Sequence, residues 1–102
     1  MSALTDVPAI PAVYEELSIG AAPVGFQRMP AGHVRTRYRF LDGPCLYTLD
    51  GTAPVGGGGA HIGFPAYDGD TDWFDAHEAD RFRAVRRGAT NGIVRCIHYV
   101  RG

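Results

Sequence analysis

One short segment of the chain, HVRTRYRFL from His33 to Leu41, alternates strictly between two kinds of side chain over its first eight residues. Histidine and arginine occupy one set of positions, and the other set holds β-branched and aromatic residues, Val34, Thr36, Tyr38 and Phe40. A β-strand turns successive side chains to opposite faces, so this pattern predicts a strand with one face in the core. We therefore expect a sheet whose outer, basic face carries His33, Arg35, Arg37 and Arg39.

Further strand-like runs lie on either side of this segment. Residues 45–49 follow the turn signal Asp42-Gly43-Pro44, which predicts a hairpin with the basic strand. Residues 93–100 are mostly apolar on both faces, as expected for a central strand. Residues 1–31 contain four prolines and predict a partly irregular segment with a short strand or helical turn over 12–19.

Charge reverses along the segment DGDTDWFDAHEADRFRAVRRG, from Asp68 to Gly88. Six of the eleven acidic residues lie ahead of the four arginines that end it. Acidic residues near the start of a helix and basic residues near its end complement the helix dipole, and glycine commonly follows the last turn. The segment predicts one helix over about 72–87, with Thr71 or Asp72 as its N-cap.

Together these elements predict an α+β fold, in which one helix packs on a mainly antiparallel sheet of about five or six strands. A closed or half-open small barrel crossed by the helix is the competing architecture. A chain of 102 residues can bury a core without a metal or a disulfide, so a single domain over 1–102 is expected. Cys45 and Cys96 lie in apolar runs and are predicted to be free, buried thiols.

The histidines and the acidic run supply the candidate catalytic residues. No two histidines stand at the spacing of a common metal-binding pair, so neither a metal nor another cofactor is predicted. The alternating carboxylates of Asp68, Asp70 and Asp72 resemble a calcium loop, but the glycine and the bidentate glutamate that such a loop requires are missing. His98 shares a face with apolar residues and is most simply a core histidine.

Three functional hypotheses remain open. The leading one is a binding or assembly domain that acts through the arginine face and the acidic helix start, most simply as a homo-oligomer. The second is a cofactor-free enzyme, a cyclase, isomerase or lyase, with a pocket between sheet and helix that binds a small molecule. Its base would be His61, His77 or His98, with Asp68 or Asp72 as partner. Tyr67 and Trp73 would form an apolar wall.

The third hypothesis is a binder of RNA or another anionic ligand through Arg35, Arg37 and Arg39. Binding of nucleic acid is disfavoured by the sequence pattern. Single-strand binders place aromatic rings beside their cations, whereas Tyr38 and Phe40 point away from the arginines. A net charge of −1 gives no overall attraction to polyanions or to a membrane surface. The sequence shows neither an apolar run of membrane-spanning length nor a signal peptide, which predicts a cytoplasmic protein.

Overall fold

Two antiparallel sheets, of four and three strands, dominate the computed structural model, which describes residues 8–57 and 61–102. In chain order the elements are β1 (Ala9–Ile19), β2 (His33–Asp42), β3 (Cys45–Thr48), β4 (Phe64–Ala66), β5 (Thr71–Asp75), α1 (Ala76–Arg81), β6 (Arg83–Arg86) and β7 (Gly92–Arg101). The larger sheet has the order β1-β7-β2-β5 and the smaller one β4-β3-β6. The predicted α+β class is confirmed, and the strands form two open sheets rather than a closed barrel.

The predicted alternation of β2 is confirmed for its central residues. Thr36, Tyr38 and Phe40 are buried, whereas Arg37 and Arg39 are exposed. β7 lies between β1 and β2, as its composition predicts, but only one of its faces is fully buried. The other face of β7 is partly open, and it becomes part of the outer surface of the larger sheet.

Aromatic side chains fill the core between the two sheets. Phe26 stacks on Phe82 with ring centroids 4.5 Å apart, and Tyr38 stacks on Phe74 at 4.1 Å. Tyr47, from the smaller sheet, contacts Phe82 at 6.0 Å. Such ring pairs contribute about 0.5–1.5 kcal/mol each beyond the burial of their area, so they hold the sheets together through side chains.

The predicted helix is wrong in its extent. Only Ala76–Arg81 is helical, and the residues before and after it form β5 and β6. Asp75 is the true N-cap: its side chain accepts from the Glu78 backbone N–H, and the Glu78 side chain accepts from the Asp75 N–H. Phe82 leaves the helical conformation, with ψ at 129°, because burying its ring in the core and pairing β6 with β3 both require extended backbone.

The predicted hairpin between β2 and β3 does not form. β2 pairs with β5 and β7, whereas β3 pairs with β4 and β6. Asp42 has a positive φ of 69°, which turns the chain away from the larger sheet. Pro44 then has no N–H to donate to a ladder, so the strand that follows starts a second sheet.

β1 is longer than the short element expected over 12–19, and it starts at Ala9. It forms one edge of the larger sheet, and its pairing with β7 shifts register between Pro11 and Val13. A proline is tolerated at an edge or a bulge because its nitrogen donates no hydrogen bond there. In the described residues, no helix is long and apolar enough to cross a bilayer.

Gly92 tests how closely the two sheets approach. A Cβ atom at this position would overlap the Cys45 sulfur and lie 2.8 Å from the Gly43 carbonyl oxygen. Gly92→Ala should therefore lower the free energy of unfolding by about 1–3 kcal/mol. Gly88→Ala is the matched control, since a Cβ there meets no atom within 4 Å. Urea denaturation of both variants checks the prediction, and equal stabilities would contradict it.

Candidate functional site

The outer face of the larger sheet brings arginines and aromatic rings together. Strand register places Arg37 of β2 between Trp73 of β5 and Ile97 of β7, and Ile97 lies opposite Tyr14 of β1. Tyr14 is 68% exposed. We call this surface the arginine–aromatic face and define it by Tyr14, Arg35, Arg37, Arg39, Trp73, Arg95 and Tyr99.

Guanidinium groups lie against the rings on this face. The Arg35 guanidinium carbon is 5.0 Å from the centre of the Trp73 ring and 5.6 Å from that of Tyr99. Arg37 lies 5.5 Å from the same Trp73 ring. Cation–π contacts of this length are attractive, and they hold charge and ring area in one fixed layer.

Two arginines of the face oppose each other directly. Arg39 of β2 is in register with Arg95 of β7, and like charges in that position destabilise a sheet. Arg95 is paired with Glu16 at 2.7 Å. In the described residues, the Arg39 side chain makes neither a hydrogen bond nor an ion pair. The face therefore contains positive charge that the protein itself neutralises only in part.

The Tyr14 ring and three arginines of this face border one shallow cleft. An open cleft of about 340 Å³ is lined by residues that include Tyr14, Arg37, Arg39, Arg95 and Ile97. Its walls combine apolar surface with guanidinium donors, which suits a ligand that carries both an anionic group and a planar apolar group.

The sequence could not place these aromatic residues beside the arginines. Trp73, Tyr14 and Tyr99 lie far along the chain from β2, and only the strand pairing puts them on its outer face. The objection that aromatic side chains are absent from the arginine face therefore does not hold. His33, by contrast, leaves this face, because the register of β2 shifts between His33 and Arg35.

A second candidate site is buried under the opposite face of the same sheet. His98 has no exposed surface, and its Nε2 lies 2.9 Å from Glu15 Oε1. Its Nδ1 lies 2.7 Å from the Thr36 hydroxyl, which lies 2.7 Å from His33 Nε2. The four side chains form one continuous hydrogen-bonded chain, which we call the buried polar chain.

Every hydrogen-bonding group of the buried polar chain can find a partner. Every group has a partner when all donors point towards Glu15: His33 Nε2–H donates to the Thr36 hydroxyl, this hydroxyl donates to His98 Nδ1, and His98 Nε2–H donates to the Glu15 carboxylate. Glu15 also accepts from the backbone N–H groups of Gln27 at 2.8 Å and Arg28 at 3.2 Å. Burial lowers the pKa of His33, and the nearby His98 lowers it further.

Cys96 adjoins the buried polar chain but is not arranged as a nucleophile. Its sulfur lies 3.5 Å from His98 Nε2, the same nitrogen that contacts Glu15. A catalytic triad needs the base to use one ring nitrogen for the nucleophile and the other for the carboxylate. Burial, together with the Glu15 charge, raises the pKa of Cys96 to about 12, which keeps it a thiol at neutral pH. Cys45, the other free cysteine, is also buried.

The structure does not bring the predicted catalytic residues together. His61, Asp68 and His77 are exposed, His98 is buried, and no hydrogen bond or ion pair joins any two of them in the part of the chain described. An apolar cleft of about 500 Å³ lies instead beside Tyr47, Leu49 and Phe64. None of the four predicted catalytic residues lines this cleft.

Backbone hydrogen bonds explain the acidic residues ahead of β5. Asp68 accepts from the Asp42 N–H at 2.9 Å, and Asp70 accepts from the Tyr67 N–H at 2.9 Å. These carboxylates stabilise turns, which short acidic side chains do well. The Tyr67 hydroxyl accepts a hydrogen bond from the Arg87 guanidinium at 3.0 Å. Trp73 instead contacts Arg35 and Arg37.

The glycine run over 56–59 is described only in part, since Gly58 and Gly59 lie outside the described residues. A Cβ at Gly56 would overlap the Arg86 carbonyl oxygen, so this glycine allows close packing against β6. Four consecutive glycines predict a plain flexible connection, with a mobile loop or lid beside His61 as the alternative, and both expectations depend on residues that the structure does not describe.

Thr36 supplies a sharp test of the buried polar chain. Thr36→Val keeps the side-chain shape but removes the partner of both His98 Nδ1 and His33 Nε2, which should cost about 1–3 kcal/mol of unfolding free energy. Thr36→Ser keeps the hydroxyl and loses one methyl group, which costs about 1 kcal/mol. We expect guanidinium denaturation to find the valine variant less stable than the serine variant. The reverse order, which strand propensity alone favours, would contradict the network.

No protein-family model, no curated protein and no solved structure matches this chain. The candidate function therefore depends on the chemistry of the residues themselves. Two groups of residues carry that chemistry, the arginine–aromatic face and the buried polar chain with its neighbour Cys96.

Proposed function

We propose that this protein is a binding module that holds single-stranded nucleic acid on the arginine–aromatic face. The observation that carries the proposal is the interleaving of arginines, of which Arg37, Arg39 and Arg95 are exposed, with aromatic rings on one open sheet face. Single-strand binders combine cations that track the phosphates with flat groups on which bases stack. Four-stranded sheets with aromatic residues on one face serve this purpose in common RNA-binding modules, where two or three bases stack.

Each part of the face has a role in such a complex. Arg39 and Arg95 would bind phosphate, which relieves the repulsion between two guanidinium groups in register. Exposed Tyr14 offers a ring for stacking. Arg35 and Arg37 lie over Trp73, and a guanidinium plane held against a ring can itself stack with a base.

Self-association through the same face is the second candidate function. Tryptophan, tyrosine and arginine dominate the binding energy of protein interfaces, and this face contains all three. The exposed carboxylates of Asp68, Asp70 and Asp72 would be the complementary surface of a second copy. These carboxylates already accept backbone hydrogen bonds, which favours nucleic acid over this alternative.

The enzyme hypothesis has less support. His98 is the histidine with the most elaborate surroundings, but a substrate cannot reach a side chain with no exposed surface. His61 and His77 are exposed but lack a hydrogen-bonded carboxylate partner in the described residues. A general base has to lie within hydrogen-bond reach of the proton that it removes.

The chain contains one tryptophan, Trp73, so its fluorescence reports directly on the proposed site. Titration with a ten-nucleotide oligo(U) or oligo(dT) should change this fluorescence, and the affinity should fall steeply as salt rises. Arg39→Ala should weaken binding about three- to tenfold and reduce the salt slope by about 0.7, the value for one phosphate on a single strand. Arg81→Ala, which removes an exposed arginine on α1, should change affinity less than twofold.

Two results would overturn the proposal: no salt-dependent binding of either oligonucleotide, or equal losses from Arg39→Ala and Arg81→Ala. Light scattering at low and high salt tests self-association in the same samples. A dimer that Arg39→Ala dissociates, with no oligonucleotide bound, would assign the face to a second copy instead.

A further inference from the structure

We propose that Glu15, Cys96 and His98 form a binding site for a zinc-type divalent ion on the buried face of the larger sheet. The ligand atoms would be Glu15 Oε1, Cys96 Sγ and His98 Nε2. All three residues are buried, and the three atoms lie within 4.8 Å of one another. The proposal is independent of nucleic-acid binding, because these side chains lie on the opposite face of the sheet from the arginines.

The spacing of the ligand atoms suits tetrahedral coordination. A thiolate and an imidazole bound to one zinc ion at a tetrahedral angle lie about 3.5 Å apart. Cys96 Sγ and His98 Nε2 are separated by 3.5 Å. A carboxylate oxygen and an imidazole nitrogen on zinc lie about 3.4 Å apart, and the observed 2.9 Å between Glu15 and His98 is a hydrogen bond. Binding therefore requires the Glu15 carboxylate to retreat from His98 by about half an ångström. Glu15 Oε1 also accepts from the Arg28 N–H at 3.2 Å, and this hydrogen bond has to adjust with it.

Strand pairing fixes these side chains on one surface. Glu15 of β1 lies in register with Cys96 of β7, and His98 follows Cys96 by two residues on the same face. Alternate residues of a strand share a face, so the ligands point in one direction. Two paired strands form a rigid frame, which pre-organises a metal site better than a loop does.

Charge balance supports an ion with two positive charges. A carboxylate and a thiolate together carry two negative charges, and a neutral imidazole adds none. An ion such as Zn²⁺ would make the buried group neutral overall, and burial of an uncompensated charge is costly. The mixture of a soft sulfur with nitrogen and oxygen selects zinc-type ions over calcium or magnesium, which bind oxygen ligands.

The neighbours of the site can adjust to a bound ion. Zinc-bound histidine normally donates its other ring N–H to a fixed partner. Here that partner is the Thr36 hydroxyl, 2.7 Å from His98 Nδ1. When Nε2 binds the ion, the His98 proton is carried on Nδ1 and donated to Thr36, the Thr36 hydroxyl donates to His33 Nε2, and His33 carries its own proton on Nδ1. The one proton that binding releases to solvent comes from the Cys96 thiol. The affinity for the ion should therefore rise with pH.

The proposed ligands do not form a recognisable motif in the sequence. The common zinc motifs place ligands a few residues apart, whereas Glu15 and His98 are separated by 83 positions. A search for paired histidines or cysteines therefore misses it, and the prediction of no metal followed from such a search. Only Cys96 and His98 are close in sequence, and their spacing of two residues fits ligands on one strand face.

Cobalt titration of the chelator-treated, full-length protein tests the proposal. Co²⁺ replaces zinc in such sites and shows a thiolate charge-transfer band when cysteine is a ligand. We expect about one Co²⁺ per chain, with this band present, and its displacement by Zn²⁺. Cys96→Ser should abolish the band, and Glu15→Gln should weaken binding about tenfold or more. Cys45→Ser is the matched control, since it removes the other buried cysteine and should leave the band unchanged.

A second measurement uses the unmodified protein, in case a variant does not fold. Zn²⁺ should protect Cys96, and not Cys45, from alkylation during partial unfolding, as read by mass spectrometry of the peptides. Zn²⁺ should also raise the melting temperature of the wild-type chain, since an ion that binds only the folded state stabilises it. Absence of a stoichiometric cobalt band, or a band lost in Cys45→Ser and kept in Cys96→Ser, would overturn the site.

Discussion

The pairing of β7 with β1 on one side and β2 on the other is the constraint on which both candidate sites depend. Because neighbouring strands in a sheet stay in register, one alignment places Arg39 beside Arg95 and Thr36 beside His98. A shift of one residue would exchange the two faces and destroy both groupings. The apolar side chains Val94 and Phe40, also paired across these strands, oppose such a shift because they must remain in the core.

Burial of the Glu15 carboxylate costs hydration free energy that hydrogen bonds have to offset. A carboxylate with only 7% of its surface exposed has lost most of its hydration and needs several hydrogen bonds in return. Two backbone N–H groups from residues 27 and 28 and the ring of His98 supply them. The segment after β1 is therefore held against the sheet by Glu15, and the core contacts of Phe26 depend on that position.

Local patterns in the sequence predict the strands well where one face is buried and the other exposed, as in β2. They fail between residues 68 and 88, because the charge order that suits one long helix also suits a strand, a short helix and a second strand. The adjacent residues Trp73 and Phe74 distinguish a strand from a long helix here. Phe74 is buried and Trp73 lies on the opposite face, as in a strand. The site residues Arg37 and Arg39 were found by alternation within one strand. Their partners on other strands were not, because pairing between distant segments leaves no local signal.

The two edge strands of the larger sheet, β1 and β5, are poorly suited to pairing with an additional strand. At the β1 edge, Pro11 and the neighbouring register shift interrupt the row of hydrogen-bonding groups that an incoming strand would need. At the other edge, β5 is five residues long and passes directly into α1. These features disfavour growth of the sheet by strand addition at either edge. Recognition by this sheet then depends on its side chains, so a change of partner in evolution would require substitutions on its faces and no change in the backbone.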